Sequence, residues 1–127
     1  MKVAVFENEL EGFKNSFEAI NLLFFDGQIE YKFYTKFESL GAIDKIPQFD
    51  FVIVDLELAP RSQYDGFQVI DMIEEEKHRQ EKENPKILIF SGKRDLLDTL
   101  KKEKEIRYPV LYKPIDYDKF SKVLSSS

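Results

Sequence analysis

The 127-residue chain contains no cysteine and no tryptophan, and it has only five glycines and five prolines. Without cysteine, neither disulfide bonds nor thiolate metal sites can form. No apolar run approaches the roughly 20 residues that are needed to span a bilayer, and Met1 leads directly into a strand-like segment. We therefore expect a cytoplasmic protein that makes no membrane contact.

The chain has no large excess of charge of either sign, since 19 basic and 24 acidic residues give a net charge of −5. Proteins that bind nucleic-acid phosphates usually carry a basic patch, and no dense Lys/Arg stripe is present. The charge balance therefore argues against nucleic-acid binding. The hydrophobic fraction of 43%, with 12 Phe and 6 Tyr, predicts one globular domain over residues 1–127 with an aromatic core.

Five short apolar runs predict β-strands. Three of them (KVAVF, FVIV and KILIF) are almost continuously apolar, as strands covered on both faces should be, whereas EYKFYTKF alternates as an edge strand does. The predicted strands are Lys2–Phe6, Glu30–Phe37, Phe49–Val54, Lys86–Phe90 and Pro109–Tyr112.

Apolar residues at steps of three and four predict helices between these strands. The charge run Glu74–Asn84 is expected to prolong the third helix, and a weaker helix is expected over Leu40–Ile46, ended by Pro47. The alternation of strands and helices predicts an α/β fold with a parallel sheet and helices on both faces. The helical stripes are Leu10, Phe13, Phe17, Ile20 and Leu23; Phe67, Ile70 and Ile73; Leu96, Leu97 and Leu100; and Phe120, Val123 and Leu124.

Polar residues follow four of the predicted strands. Ligands of open parallel sheets bind at the carboxyl ends of the strands, so these residues should converge at one edge. Carboxylates, a hydroxyl and an ammonium can together bind a hard divalent cation, supply an oxygen nucleophile and neutralise phosphoryl oxygens. The residues are Glu7, Asn8 and Glu9; Asp55; Ser91 and Gly92; and Lys113 and Pro114.

Each of these residues also has a structural interpretation. Asp55 could cap the turn after its strand, and Ser91 could cap the following helix. Lys113 could be an exposed lysine before a turn proline, and the segment Glu7–Glu9 could form an N-cap cluster for the first helix.

The ordered set MKVAVFENE, FDFVIVD, DG, KILIFSG and YKP resembles the response-regulator receiver domain over the whole chain. The resemblance implies a flavodoxin-like doubly wound (βα)5 fold with a parallel sheet of order 2-1-3-4-5. It implies a phosphoacceptor of a two-component phosphorelay that is phosphorylated by a histidine kinase or a phosphotransfer protein. Signalling to a downstream protein by contact is expected, from a monomer or weak homodimer that turns over no separate substrate.

The resemblance also implies residue roles. Asp55 would accept the phosphoryl group, Lys113 would pair with the carboxylate and then with that group, and Ser91 would reorient towards it. A cis peptide is implied between Lys113 and Pro114. The implied Mg²⁺ ligands are Glu7, Asn8, Asp55 and the backbone carbonyl of Glu57.

Three features depart from the family pattern. Glu7-Asn8 replaces the usual acidic pair, which predicts weaker Mg²⁺ binding; matching ENEL to the family's DNEL would instead make Glu7 the direct ligand and place Phe6 where an acid is expected. The loop DLELAPRSQYDG is three residues longer than usual. The extra residues could form a partner contact, act as a lid or be a tolerated surface insertion. Val110 stands where an aromatic residue is common, so we expect an altered aromatic relay.

Two other functions remain open at this stage. A degenerate receiver that binds proteins without phosphorylation is favoured by Glu7-Asn8 and Val110 and opposed by Asp55, Ser91 and Lys113. A phosphatase of the haloacid dehalogenase type also uses Asp, Ser/Thr, Lys and Mg²⁺. Its Asp-x-Asp motif lies on the first strand, however, whereas DLE follows the third strand here.

Overall fold

The computed structural model describes residues 1–58, 63–92 and 108–125. The strands are β1 (Lys2–Phe6), β2 (Glu30–Tyr34), β3 (Phe51–Asp55), β4 (Lys86–Ser91) and β5 (Val110–Tyr112). The α-helices of these residues are α1 (Lys14–Phe25), α2 (Gly66–Arg79) and α3 (Tyr117–Ser125), and 3-10 helices cover Leu10–Gly12, Phe37–Leu40 and Ile43–Gln48. None of the described helices is both long enough and apolar enough to cross a membrane.

All five strands pair in parallel in the order β2-β1-β3-β4-β5, which confirms the predicted sheet. The order reverses between β1 and β3, since the chain first moves outward to β2 and then returns past β1. Crevices for ligands in such sheets lie outside the carboxyl ends of the strands at this reversal. The three central strands therefore present their ends where a site is expected.

The sheet divides the core into two layers because successive strand residues point to opposite faces. Val3 and Val5 pack on one face with α1 and α3, whereas Ala4 and Phe6 pack on the other face with α2. Residues of β3 and β4 alternate in the same way, and every residue of β3 is buried. The predicted cover of helices on both faces is confirmed.

The strand boundaries differ from the prediction at several ends. The predicted strand Glu30–Phe37 stops at Tyr34, because Phe37 begins a 3-10 helix and turns its ring into the core. Its position at the edge of the sheet and its partly exposed residues confirm the edge-strand prediction. β3 begins two residues later than predicted and includes Asp55, and β4 includes Ser91.

The helix predicted over Leu40–Ile46 is wrong, because two 3-10 helices occupy this segment. Gly41 separates them with a φ of 89°, a left-handed conformation that interrupts any helix. Pro47 lies inside the second 3-10 helix and does not end it. A proline ring would clash with the carbonyl four residues earlier in an α-helix.

The first helical stripe is confirmed only in part, since α1 begins at Lys14 and Leu10 lies in the separate 3-10 helix Leu10–Gly12. Phe17 and Ile20 are buried, but Leu23 is 69% exposed, so its predicted place in the core is wrong. Periodicity identifies a face but does not show whether a neighbour covers the last turn. The third predicted helix is confirmed as α2, although it ends at Arg79 and not at Asn84. The stripe Leu96, Leu97 and Leu100 lies outside the described residues.

The start of α2 is fixed against the end of β3. The Asp65 side chain accepts a hydrogen bond from Gln68 N, and Gln68 Oε1 accepts one from Asp65 N, which forms a capping box. Gly66 N donates to Leu56 O over 3.3 Å, and a Cβ atom on Gly66 would lie only 2.6 Å from Asp55 O. The glycine of the DG motif therefore allows α2 to begin directly against the residue that ends β3.

Candidate functional site

The structure brings together most of the residues that were predicted at the carboxyl edge of the sheet. Backbone hydrogen bonds extend the ladders past the strands: Glu7 N donates to Tyr34 O over 3.0 Å, and Lys113 N donates to Ser91 O over 2.9 Å. Asp55 lies on the central strand β3, between the ends of β1 and β4. The parallel register thus converts four distant sequence positions into one cluster.

Lys113 is the cation of this cluster. Its Nζ donates to Glu7 Oε1 over 2.9 Å and lies 3.6 Å from Asp55 Oδ1. Glu7 and Asp55 are 0% exposed, so water does not screen their charges. Burial alone would lower the pKa of Lys113, but the hydrogen bond that Lys113 donates to Glu7 and the negative charge of Asp55 outweigh burial and raise that pKa. The ammonium is therefore held in its charged form.

Two aromatic rings border the same ammonium group. Lys113 Nζ lies 4.9 Å from the ring centroid of Phe13 and 5.1 Å from that of Phe90. The two rings contact each other edge to face, with 5.2 Å between centroids. The ring faces attract the cation and restrict its long side chain. The predicted cis peptide between Lys113 and Pro114 is present.

Glu57 contributes a third carboxyl group to the site. Its backbone N donates to Asp55 Oδ1 over 2.9 Å, and its Oε1 accepts from Ser91 Oγ over 2.8 Å. Burial raises the pKa of both Asp55 and Glu57, and the hydrogen bond between the two carboxyl groups lowers the pKa of Asp55 while raising that of Glu57. Glu57 therefore contacts Asp55 both through its backbone N–H and through its carboxyl group.

Asn8 and the carbonyl of Glu57, both predicted metal ligands, are bonded to each other. Asn8 Nδ2 donates to Glu57 O over 2.7 Å. Only the NH₂ group of the amide can donate to a carbonyl, so this bond directs the amide nitrogen at an oxygen that a cation would need. Both residues lie in the site, but in this arrangement they bond to each other instead of presenting two oxygen atoms to a metal ion.

The remaining two predicted ligands fit a hard cation better. Glu7 Oε2 and Asp55 Oδ2 are buried, and neither accepts a hydrogen bond from an amide, hydroxyl or ammonium group of the described residues. Free carboxylate oxygens of this kind suit Mg²⁺. Within residues 1–58, 63–92 and 108–125, however, no group of three or more Asp, Glu or His residues is arranged to hold a metal ion. A cation would therefore depend on two carboxylates and on neutral oxygen ligands.

The three departures from the family pattern have different structural settings. Phe6 is fully buried and stacks on Tyr34, so it belongs to the core. The end of the lengthened loop is fixed, since Gln63 N donates to Glu38 Oε1 over 2.9 Å; residues 59–62 lie outside the described residues. Val110 packs against the core layer that contains α2.

Sequence reasoning missed two contributions to the site. Phe13 was interpreted as core, and of Glu57 only the backbone carbonyl was considered. The Asp-x-Glu spacing at the end of β3 was the available signal for Glu57, since an Asp side chain often accepts a hydrogen bond from the backbone N–H two residues later in a turn. No signal in the sequence indicated that Phe13 would contact Lys113.

Comparison with known proteins identifies similar folds but no close relative. No protein-family model and no curated protein matches the sequence. The receiver domain of a DNA-binding response regulator from Colwellia psychrerythraea 34H is 16% identical, with a TM-score of 0.72, and the match covers 99% of this chain and 96% of that one. The receiver domain of NtrX from Brucella abortus is 18% identical, with a TM-score of 0.68, over 98% and 95% of the two chains.

A longer NtrX structure from the same organism is 20% identical, with a TM-score of 0.73. The match covers 98% of this chain but only 26% of that protein, so the likeness concerns one part of it. At these identities the likeness establishes the fold. The chain therefore has the fold of the response-regulator receiver domains, in agreement with the sheet order and with the motifs of its sequence.

Proposed function

We propose that this protein is a phosphoacceptor receiver domain of a two-component phosphorelay, with Asp55 as the acceptor. The observation that supports it best is the buried Asp55 carboxylate at the end of the central strand, 3.6 Å from Lys113 Nζ. The donor is a histidine kinase or a phosphotransfer protein of the cytoplasm. Output passes to another protein by contact.

The transfer uses groups of this chain. A carboxylate oxygen of Asp55 attacks the phosphorus atom of a phosphohistidine, the P–O bond forms, and the P–N bond breaks with its electron pair remaining on the imidazole. Lys113 neutralises negative charge that gathers on the phosphoryl oxygens.

Mg²⁺ is the cofactor that we propose for this site. Glu7 Oε2 and Asp55 Oδ2 would hold the ion, and Glu57 O would join them after releasing the Asn8 amide. The ion would supply positive charge between an anionic nucleophile and an anionic phosphoryl group. The cluster has three carboxyl groups and one ammonium, so it carries negative charge that a divalent cation would balance.

Intact-mass analysis tests the proposal. After incubation with Mg²⁺ and acetyl phosphate, we expect the parent protein to gain one phosphoryl group, whereas the Asp55→Asn variant gains none. Circular dichroism of both proteins serves as the control for folding. Uptake by the variant would show that a residue other than Asp55 is modified, and no uptake by a folded parent would contradict the proposal.

The Asn8→Asp variant should bind Mg²⁺ about tenfold more tightly than the parent, since carboxylate number tunes affinity for hard cations and tenfold corresponds to about 1.4 kcal/mol. A carboxylate cannot donate to Glu57 O, so the variant also frees that carbonyl. Isothermal titration calorimetry measures the change. Asn15→Asp, at an exposed position of α1, adds the same charge outside the site and should leave the affinity unchanged. Equal affinities of the Asn8→Asp variant and the parent would contradict the arrangement.

A second candidate is a degenerate receiver that binds proteins without phosphorylation. The hydrogen bond between Asn8 and Glu57 O favours it, because a side-chain amide takes a position that would suit a cation. The two candidates differ in the mass experiment. A folded parent that binds no Mg²⁺ and gains no phosphoryl group would support the second.

A further inference from the structure

Asp55 is closed off from solvent in the resting arrangement. Its exposed fraction is 0%, yet a donor has to bring a phosphorus atom into bonding distance of its carboxylate. Glu57, two residues later, is partly exposed, and its carboxyl group contacts that of Asp55. Some movement at this contact is therefore required before phosphoryl transfer.

Ser91 holds Glu57 in this position. Ser91 is 1% exposed, and its Oγ donates to Glu57 Oε1 over 2.8 Å. The backbone of Glu57 is held as well, since its N–H donates to Asp55 Oδ1 and its carbonyl accepts from Asn8 Nδ2. Glu57 is thus held through its carboxyl group by Ser91 and through its backbone by Asp55 and Asn8.

The same serine is needed elsewhere once Asp55 is phosphorylated. Ser91 ends β4, the strand next to β3, so its hydroxyl is near any group attached to Asp55. A hydroxyl has one proton, and it cannot donate to Glu57 and to a phosphoryl oxygen at the same time. The carboxylate of Glu57 and the phosphoryl group carry charge of the same sign and would compete for this donor.

We propose that the Glu57 side chain is a gate on the phosphoacceptor site, which Ser91 keeps closed over Asp55 and releases when its hydroxyl turns to the incoming phosphoryl group of the donor. The inference rests on the proposed function and adds the residue that regulates access to Asp55. Glu57 is a positioning residue in this account, because it acts through Ser91 and not on the phosphorus atom. Release of Glu57 is part of the cost of every transfer.

The test is a double-mutant cycle on the rate of phosphoryl uptake from acetyl phosphate, followed by intact mass. Glu57→Ala should accelerate uptake about tenfold, the magnitude of one charge-assisted hydrogen bond. In the Ser91→Ala background, the same change should alter the rate by less than about twofold, because Glu57 is no longer held. Glu57→Gln keeps an acceptor for Ser91 but loses the charge that strengthens the bond, so its rate should lie between those of the parent and of Glu57→Ala.

Glu11→Ala is the matched control. Glu11 is exposed in the 3-10 helix Leu10–Gly12, and its replacement removes the same charge without touching the site. If Glu57→Ala accelerated phosphoryl uptake equally in the presence of Ser91 and in the Ser91→Ala background, simple charge repulsion would explain the effect and the gate would be overturned. An acceleration by Glu57→Gln as large as that by Glu57→Ala would have the same meaning. If the parent is phosphorylated and the Glu57→Ala variant takes up the phosphoryl group at the same rate as the parent, the inference is overturned and the proposed function stands. A folded parent that takes up no phosphoryl group overturns the proposed function and this inference with it.

Discussion

Replacement of Lys113 by methionine is expected to lower the rate of phosphoryl uptake at least about 100-fold, the usual cost of losing one group that stabilises developing charge. The same change should reduce the free energy of unfolding at pH 7 by about 3 kcal/mol, because Glu7 and Asp55 would remain buried without their cation. Methionine keeps an unbranched side chain against Phe13 and Phe90, so the ammonium is the main loss. Intact mass and urea denaturation measure the two effects.

The loss of stability should depend on pH. Burial already raises the pKa of Asp55, and Lys113 counteracts this shift, so the variant's carboxyl should titrate higher still. A carboxyl group with a raised pKa binds protons more readily in the folded state, and the folded state gains stability as the pH falls through that value. The difference between variant and parent should therefore shrink at acidic pH. Lys119→Met, at an exposed position of α3, is the control, and an equal loss in both variants would contradict the role of Lys113.

Replacement of Gly66 by alanine should be the most damaging change that adds a single methyl group. The new Cβ atom would lie 2.6 Å from Asp55 O and 2.6 Å from Leu56 Cα, and both are backbone atoms that cannot rotate away. We expect a loss of roughly 3 kcal/mol in the free energy of unfolding, at the upper end for overpacking. Because the displaced backbone carries Asp55, phosphoryl uptake should fall as well. Urea denaturation and intact mass measure these effects.

Gly12 provides the matched control for this substitution. A Cβ atom on Gly12 would meet nothing within 4 Å, and its φ is not positive. Gly12→Ala should therefore leave stability unchanged or raise it slightly, since alanine reduces the freedom of the unfolded chain. If both variants lost the same stability, general helix effects and not the approach of α2 to β3 would be responsible.

The sheet and the convergence of the site residues could be predicted because they follow from the chain alone. Continuous apolar runs such as Phe51–Val54 indicate strands covered on both faces, and parallel strands place their carboxyl ends together. These two facts bring Asp55, Ser91 and Lys113 to one edge without any knowledge of side-chain contacts.

The details that were missed depend on contacts between distant segments. Leu23 shares the period of a buried stripe, but no neighbour covers it. The bond from Ser91 to Glu57 joins residues 34 positions apart, and the ring of Phe13 meets Lys113 only after α1 and β5 have taken their places. The local sequence pattern carries no information about contacts between segments that are distant in the chain.

The ion pair between Glu7 and Lys113 has a consequence for how the protein is made. The two residues are 106 positions apart, so the carboxylate emerges from the ribosome long before its counter-charge. A nascent chain that has reached only β4 carries Glu7 and Asp55 without the ammonium that balances them, and desolvating them at that stage is costly. Contacts of such separation also slow folding. The addition of the three-residue strand β5 and of Lys113 directly after it therefore completes the sheet and the charge balance in one late step of folding.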